Sequence, residues 1–195
     1  MKFNTISRIA MAASVSVAIA FGTTACIRDY TSDYVYAVSN STGQVSAFAV
    51  DYQTGVLTQI SGSPFATNLT TDFPNTSDLV YSLIDTTGKY LYVANNSTTN
   101  TQTTTPYSSL SALTINSTNQ ELQPIIGAPY KSGSGPVCMV EDPSNQYLYV
   151  SNYNDGTITG YQLNNTNGEL SDLTKGSTFT AVGKASCLAI SGSVN

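Results

Sequence analysis

Few residues in this chain have side chains able to do chemistry, and their types and spacing narrow what that chemistry would be. None of the 195 residues is a histidine, which removes the commonest general base, the Ser-His and Cys-His nucleophile pairs and every histidine-containing metal set. Glu141 stands out among the carboxylates because the matching positions of the chain hold Ile84 and Ile190. A carboxylate replacing an aliphatic on an inner strand would be a channel-facing acid or base with a raised pKa; the plainer reading has it facing water near a strand end. In a hydrolase, Glu141 or Asp78 would activate water while Lys89 or Lys131 steadied an oxyanion. Cys138 and Cys187 occupy equivalent positions and form either a disulfide or two small buried thiols. The second is preferred, since equivalent strands must come unusually close for a bridge. Asn152-Tyr153-Asn154-Asp155-Gly156 has the look of a calcium loop without the downstream carboxylates that complete one, so a hairpin turn is expected there. Neither a metal nor a cofactor is expected.

The elements that must position these residues are written in a repeat. Tyr147-Leu148-Tyr149-Val150-Ser151-Asn152 has two other copies, Tyr34-Val35-Tyr36-Ala37-Val38-Ser39 and Tyr90-Leu91-Tyr92-Val93-Ala94-Asn95. A period of about 50 residues with β-branched and aromatic alternation marks a repeat built of small sheets. Calling the repeated strand B, a strand C follows at Val45, Leu110 and Ile158, and a strand D at Leu57, Leu122 and Leu170, joined by Thr54-Gly55, Asn119-Gln120 and Asn167-Gly168 as turns. A strand A precedes B at Leu79 and Val137 and ends in turns that begin with Asp85 and Asp142. The order is B-C-D, A-B-C-D, A-B-C-D, A, the final A lying at residues 185–191. Four-stranded meanders in series are propeller blades, so the expected fold is all-β, a β-propeller-type repeat of about three blades. The blades fall at about 33–67, 76–131 and 134–182. The phase would let residues 185–191 complete the blade of Tyr34, within one chain or by exchange between two copies in a six-bladed homodimer.

Residues 1–26 read as an export signal: Lys2 and Arg8, an apolar run from Ile9 to Phe21, and Gly22-Thr23-Thr24-Ala25-Cys26. The run is shorter than the roughly 20 residues a spanning helix needs. Cys26 after small residues resembles a bacterial lipobox, with Thr23 in place of the usual leucine, so Cys26 is the expected lipidation site and residues 27–32 a tether. The protein is then exported and held at the cell envelope, meeting the membrane only through its lipid. Net charge is −5, and without Lys2 and Arg8 five basic residues face twelve acidic ones. No basic stripe exists to neutralise phosphates, so nucleic acid is not expected as a partner.

Two insertions break the period. From strand B to strand C the second unit takes eighteen residues (Tyr92 to Leu110) where the others take nine, and Phe65 to Tyr81 takes sixteen where the later D-to-A connections take eight. In an antiparallel meander both kinds of loop emerge on one side. That face, carrying Asp72, Asp78, Asn96, Asn100 and Tyr107, is the expected binding surface, and a glycan, a peptide or another envelope protein the expected partner.

Gly88-Lys89-Tyr90-Leu91-Tyr92-Val93-Ala94-Asn95 and Thr54-Gly55-Val56-Leu57-Thr58, with Gly62-Ser63-Pro64-Phe65 after it, resemble the bacterial 6-phosphogluconolactonase-like, or seven-bladed lactonase, family. The resemblance implies a propeller and, for some members, hydrolysis of a sugar lactone. It also implies histidine, arginine and glutamate around a central channel. Here histidine is absent and Arg28 is the one arginine past the leader, so the expected function is a binding or interaction module, with a sugar-lactone hydrolase, or a truncated inactive remnant of one, as the alternative.

Overall fold

A computed structural model describes residues 31–67, 79–96, 108–181 and 183–192. Within them are fourteen strands: β1 Thr31–Val38, β2 Gln44–Asp51, β3 Leu57–Gln59, β4 Phe65–Ala66, β5 Leu79–Ile84, β6 Tyr90–Asn95, β7 Ser109–Ile115, β8 Leu122–Pro124, β9 Tyr130–Lys131, β10 Pro136–Glu141, β11 Tyr147–Asn152, β12 Thr157–Leu163, β13 Leu170–Asp172 and β14 Thr178–Thr180. They form three antiparallel sheets, β1 to β4, β5 to β9 and β10 to β14, which are the three blades. None of the described residues forms a helix long and apolar enough to cross a membrane.

The period-two pattern explains how the blades stack. In β6, Leu91 and Val93 join Val45, Leu79, Leu113 and Leu122 in a core between the first and second blades, while Tyr90, Tyr92 and Ala94 join Leu148, Val150, Met139 and Tyr161 between the second and third. Every residue of β6 is buried because its blade has a neighbour on each side. Alternation thus signals a strand between two layers, and both faces are apolar.

Two tyrosine hydroxyls fix the spacing between blades. Tyr36 of the first blade donates to the Gln120 carbonyl at 3.2 Å, and Tyr92 of the second donates to the Gly168 carbonyl at 2.9 Å. Both acceptors are the positive-φ residue of a C-to-D turn, Gln120 at 61° and Gly168 at 76°. Burial, with Tyr34 adding to it, pushes the Tyr36 phenol up to about 12, so it remains a donor at neutral pH.

Strand D departs from the expected single strand. It is split in every blade, β3 and β4 both pairing with β2, β8 and β9 with β7, and β13 and β14 with β12. In the first blade the Ala47 N–H donates to Ser63 Oγ at 2.9 Å where an unbroken strand would offer a carbonyl.

A second departure concerns residues 185–191. They form no ladder, and Leu188, Ala189 and Ile190 lie beside Val140, Tyr149 and Ile158 of the third blade. The expected completion of the Tyr34 blade within one chain is therefore corrected. Two blades separate this segment from β1, whose outer edge has no strand beside it among the described residues.

Candidate functional site

Each blade has a turn end, where A meets B and C meets D, and a loop end. At the loop end of the second blade Asn95 pairs with Leu79 on one side and with Ser109 on the other, and Ser109 pairs with Lys131. Both insertions leave from this end. Of the residues the sequence places there, Asp72, Asp78, Asn100 and Tyr107 lie outside the described residues, as does Cys26. Asn96 is partly buried at the rim.

The sequence did not single out the two amides that organise the loop end. Asn95 Nδ2 donates to Ser109 Oγ at 3.1 Å and Ser111 Oγ at 3.0 Å, and Asn152 Nδ2 donates to Thr157 Oγ1 at 3.1 Å and Thr159 Oγ1 at 2.8 Å. Both side chains are fully buried. The signal was present as an asparagine ending two copies of strand B, opposite two hydroxyl residues spaced by two on strand C. Gly133 permits this packing at Asn152, since a Cβ there would lie 2.5 Å from Asn152 Nδ2. Asp155, in the expected hairpin turn, accepts from the Ser134 N–H at 2.5 Å and so ties the D-to-A connection to the third blade. An open groove of about 820 Å³ runs along the outer edge of this blade, with Lys131, Asp155, Thr157, Thr159 and Asp172 in its walls.

Glu141 lies at the other end. Its Oε2 accepts from the Thr86 N–H at 2.7 Å, its Oε1 accepts from Thr86 Oγ1 at 3.0 Å, and Asn145 Nδ2 donates to the same Oε1. Asn145 Nδ2 also reaches Thr86 Oγ1 at 3.0 Å and Asp85 Oδ2 at 3.3 Å. The carboxylate therefore joins the A-to-B turns of two blades, half-buried between them instead of standing free in water at a strand end. Partial burial raises its pKa, and the hydrogen bonds from Thr86 and Asn145 only partly offset that. Lys89 belongs to the same turn end, whereas Lys131 stands at the loop end, so Glu141 and Lys131 are not brought together.

Cys138 and Cys187 form a disulfide across a Cα separation of 5.0 Å. The preference for two separate thiols is corrected by the same feature that overturned the strand at 185–191. Without a ladder of its own, that segment settles close against β10, and the Leu188 N–H approaches Cys138 Sγ at 3.4 Å. No group of three or more metal-ligating side chains occurs among the described residues.

Comparison with known proteins agrees with this architecture. The family model described as lactonase, 7-bladed beta-propeller, matches residues 13–190. Among solved structures, a candidate 6-phosphogluconolactonase of Bacteroides uniformis is 20% identical with a TM-score of 0.63, over 79% of this chain and 39% of that one. A Lactobacillus plantarum protein is 21% identical with a TM-score of 0.63, over 79% and 40%. The periplasmic gluconolactonase of Pseudomonas aeruginosa is 17% identical with a TM-score of 0.60, over 80% and 39%. The chain thus spans about two fifths of the length of these structures. No curated protein matches it in sequence.

Proposed function

Because the chain belongs to the seven-bladed β-propeller lactonase family, we propose that it is an exported, envelope-anchored member that binds a glycan, a peptide or another envelope protein through the loop end of its blades. The observation that carries this reading is how Glu141 is used. A general base needs a lone pair within hydrogen-bond reach of the substrate proton. Both Glu141 oxygens instead already accept hydrogen bonds from Thr86 and Asn145, three in all, at the end of the blades away from the insertions. Asp155 at the loop end holds the Ser134 N–H. With no histidine in the chain, little is left there to move a proton, while the two insertions offer Asp72, Asp78, Asn100 and Tyr107 for recognition beside Asn96. Lipidation of Cys26 would hold this surface at the membrane.

Lactone hydrolysis is the second reading, favoured by the names of the Bacteroides uniformis and Pseudomonas aeruginosa structures. In it Glu141 would activate water with Lys89 of the same turn end steadying the oxyanion, or Asp78 would do so with Lys131. Incubating the purified full chain with glucono-δ-lactone and with 6-phosphogluconolactone, and following acid release, separates the two. Release at the spontaneous rate is expected; turnover that disappears in Glu141→Gln overturns the binding reading. Anchoring has its own test: the wild type should partition into detergent and Cys26→Ser into water.

A further inference from the structure

The gap between the second and third blades changes character along its length. The face that the third blade turns toward the second carries Leu148, Val150, Tyr161 and Leu170, all buried in the core between the two. Further along the same face, sheet register sets Thr157 beside Asn152, Thr159 beside Val150, and Thr178 beside Thr159. Toward the loop end and the outer edge, apolar side chains thus give way to hydroxyls. The groove of about 820 Å³ opens there, with Lys131, Ser132 and Gly133, which leave the second blade, in its walls. The Tyr161 hydroxyl donates to the Lys131 carbonyl at 2.6 Å and ties the two blades where the groove begins. Both walls belong to consecutive blades inside the chain.

These walls hold unfilled hydrogen-bond positions of both kinds. Thr159 Oγ1 accepts from Asn152 Nδ2 at 2.8 Å and from the Gly133 N–H at 3.4 Å, and Thr157 Oγ1 accepts from the same amide at 3.1 Å. The hydroxyl protons of both threonines have no acceptor among the described residues. The buried amide therefore leaves two donors for whatever enters the groove. Acceptors stand near them. Asp155 Oδ2 holds the Ser134 N–H, and Asp172 Oδ1 takes the Ser177 hydroxyl at 3.2 Å, so one oxygen of each carboxylate stays open. Lys131 pairs with no carboxylate among the described residues.

We propose that this groove binds an uncharged saccharide chain, which rests on the loop-end binding reading and narrows its partner to a glycan. A sugar hydroxyl donates one hydrogen bond and accepts up to two, so a polyol satisfies open donors and open acceptors together. A peptide fits less well. Adding a peptide strand needs an unbroken edge, and strand D beside the groove is split into β13 and β14. Leu173 is the one apolar side chain in the walls, so alternate side chains of a peptide find no pockets. An anionic ligand would meet two carboxylates and a single ammonium. The groove's volume lies within the roughly 300–1,000 Å³ of small-molecule sites, and because it is open, a chain need not end inside it.

The test is calorimetric titration of the full chain, in a mild detergent without a sugar headgroup, with maltohexaose, cellohexaose and mannohexaose, and with hexagalacturonate as the charged comparison. The wild type should bind at least one of the neutral three, and more tightly than the galacturonate. Thr178→Trp, which puts a large ring into the groove from an exposed position, should abolish that binding. Asp172→Ala should weaken it roughly ten- to a hundredfold, as losing a charged hydrogen-bond acceptor does. Gln123→Trp, exposed on β8 of the second blade and outside the groove, should leave it unchanged. No binding of the neutral hexasaccharides, tighter binding of the galacturonate, or full binding by both Thr178→Trp and Asp172→Ala would overturn the proposal. That last result would place the glycan elsewhere and leave the broader binding reading standing, which fails separately if lactone turnover depends on Glu141.

Discussion

Asp85 and Asp142 close the same A-to-B turn in successive blades. Asp85 Oδ1 takes the Lys89 and Tyr90 N–H groups at 2.8 Å each, and Asp142 Oδ1 takes those of Gln146 and Tyr147 at 2.8 and 2.6 Å. Yet Asp85 is 3% exposed while Asp142 is partly open to water. The difference comes from what lies on top. Asn145 and Glu141 of the third blade reach back over the second blade's turn, whereas no such pair covers Asp142 among the described residues. The fourth residue of each turn has positive φ, Gly88 at 71° and Asn145 at 56°. Glycine takes that conformation without strain; asparagine tolerates it and adds an amide that grips the neighbouring blade. A turn thus becomes interior when the next blade's turn closes over it.

Breaking the first turn should therefore cost most. Asp85→Ala leaves buried N–H groups without an acceptor and should lower stability by about 3 kcal/mol, read from the urea midpoint. Asp142→Ala removes the same kind of acceptor where water can replace it, and about 1 to 2 kcal/mol is expected. Asn145→Gly keeps the backbone conformation and deletes the grip, for about 1 kcal/mol; a loss equal to that of Asp85→Ala would show that the amide, not the aspartate, organises both turns.

The smallest effect should appear in the pH dependence, with opposite signs at neighbouring residues. Burial raises Glu141, so its folded form holds the proton more tightly than the unfolded chain. Stability from it is gained as pH falls through the raised folded pKa and is lost above it. Burial also acts upward on Asp142, but hydrogen bonds from Ser144, Gln146 and Tyr147 win and lower it. Its contribution is present above the ordinary aspartate value and is lost as pH falls through the lowered one. Comparing each with the wild type across the acid range, Glu141→Gln should fall behind as pH drops and Asp142→Asn should catch up. Parallel profiles would mean that neither carboxylate feels its turn.

Strand B and its partners were legible because alternation and a repeated phrase are local signals. So were the turns, since Asp85 and Asp142 bond residues only four and five positions on. What could not be read was contact between units. Glu141 meets Thr86 across 55 positions, and a column that reads isoleucine elsewhere suggested an inner surface instead of a blade-to-blade clasp. Asn95 and Asn152 were visible as repeated letters, but their bonds to strand C hydroxyls depend on facing across a ladder. The break in strand D was hidden because Gly62-Ser63-Pro64 reads equally well as the strand's end and as a bulge within it.

That break has a consequence for how the molecule behaves in a crowd. An uninterrupted strand at a sheet's outer edge offers a row of free N–H and C=O groups on which another chain can build, and proteins often guard such edges with lysine. Charged residues make up only 10% of this chain, too few to guard every edge. Here the outer edge of each blade is two stubs of at most three residues with a bulge between them, too short to template a cross-β stack. At these strand D edges the backbone geometry itself opposes amyloid-like growth, and restoring a continuous strand across residues 57–66 would remove that protection from the first blade.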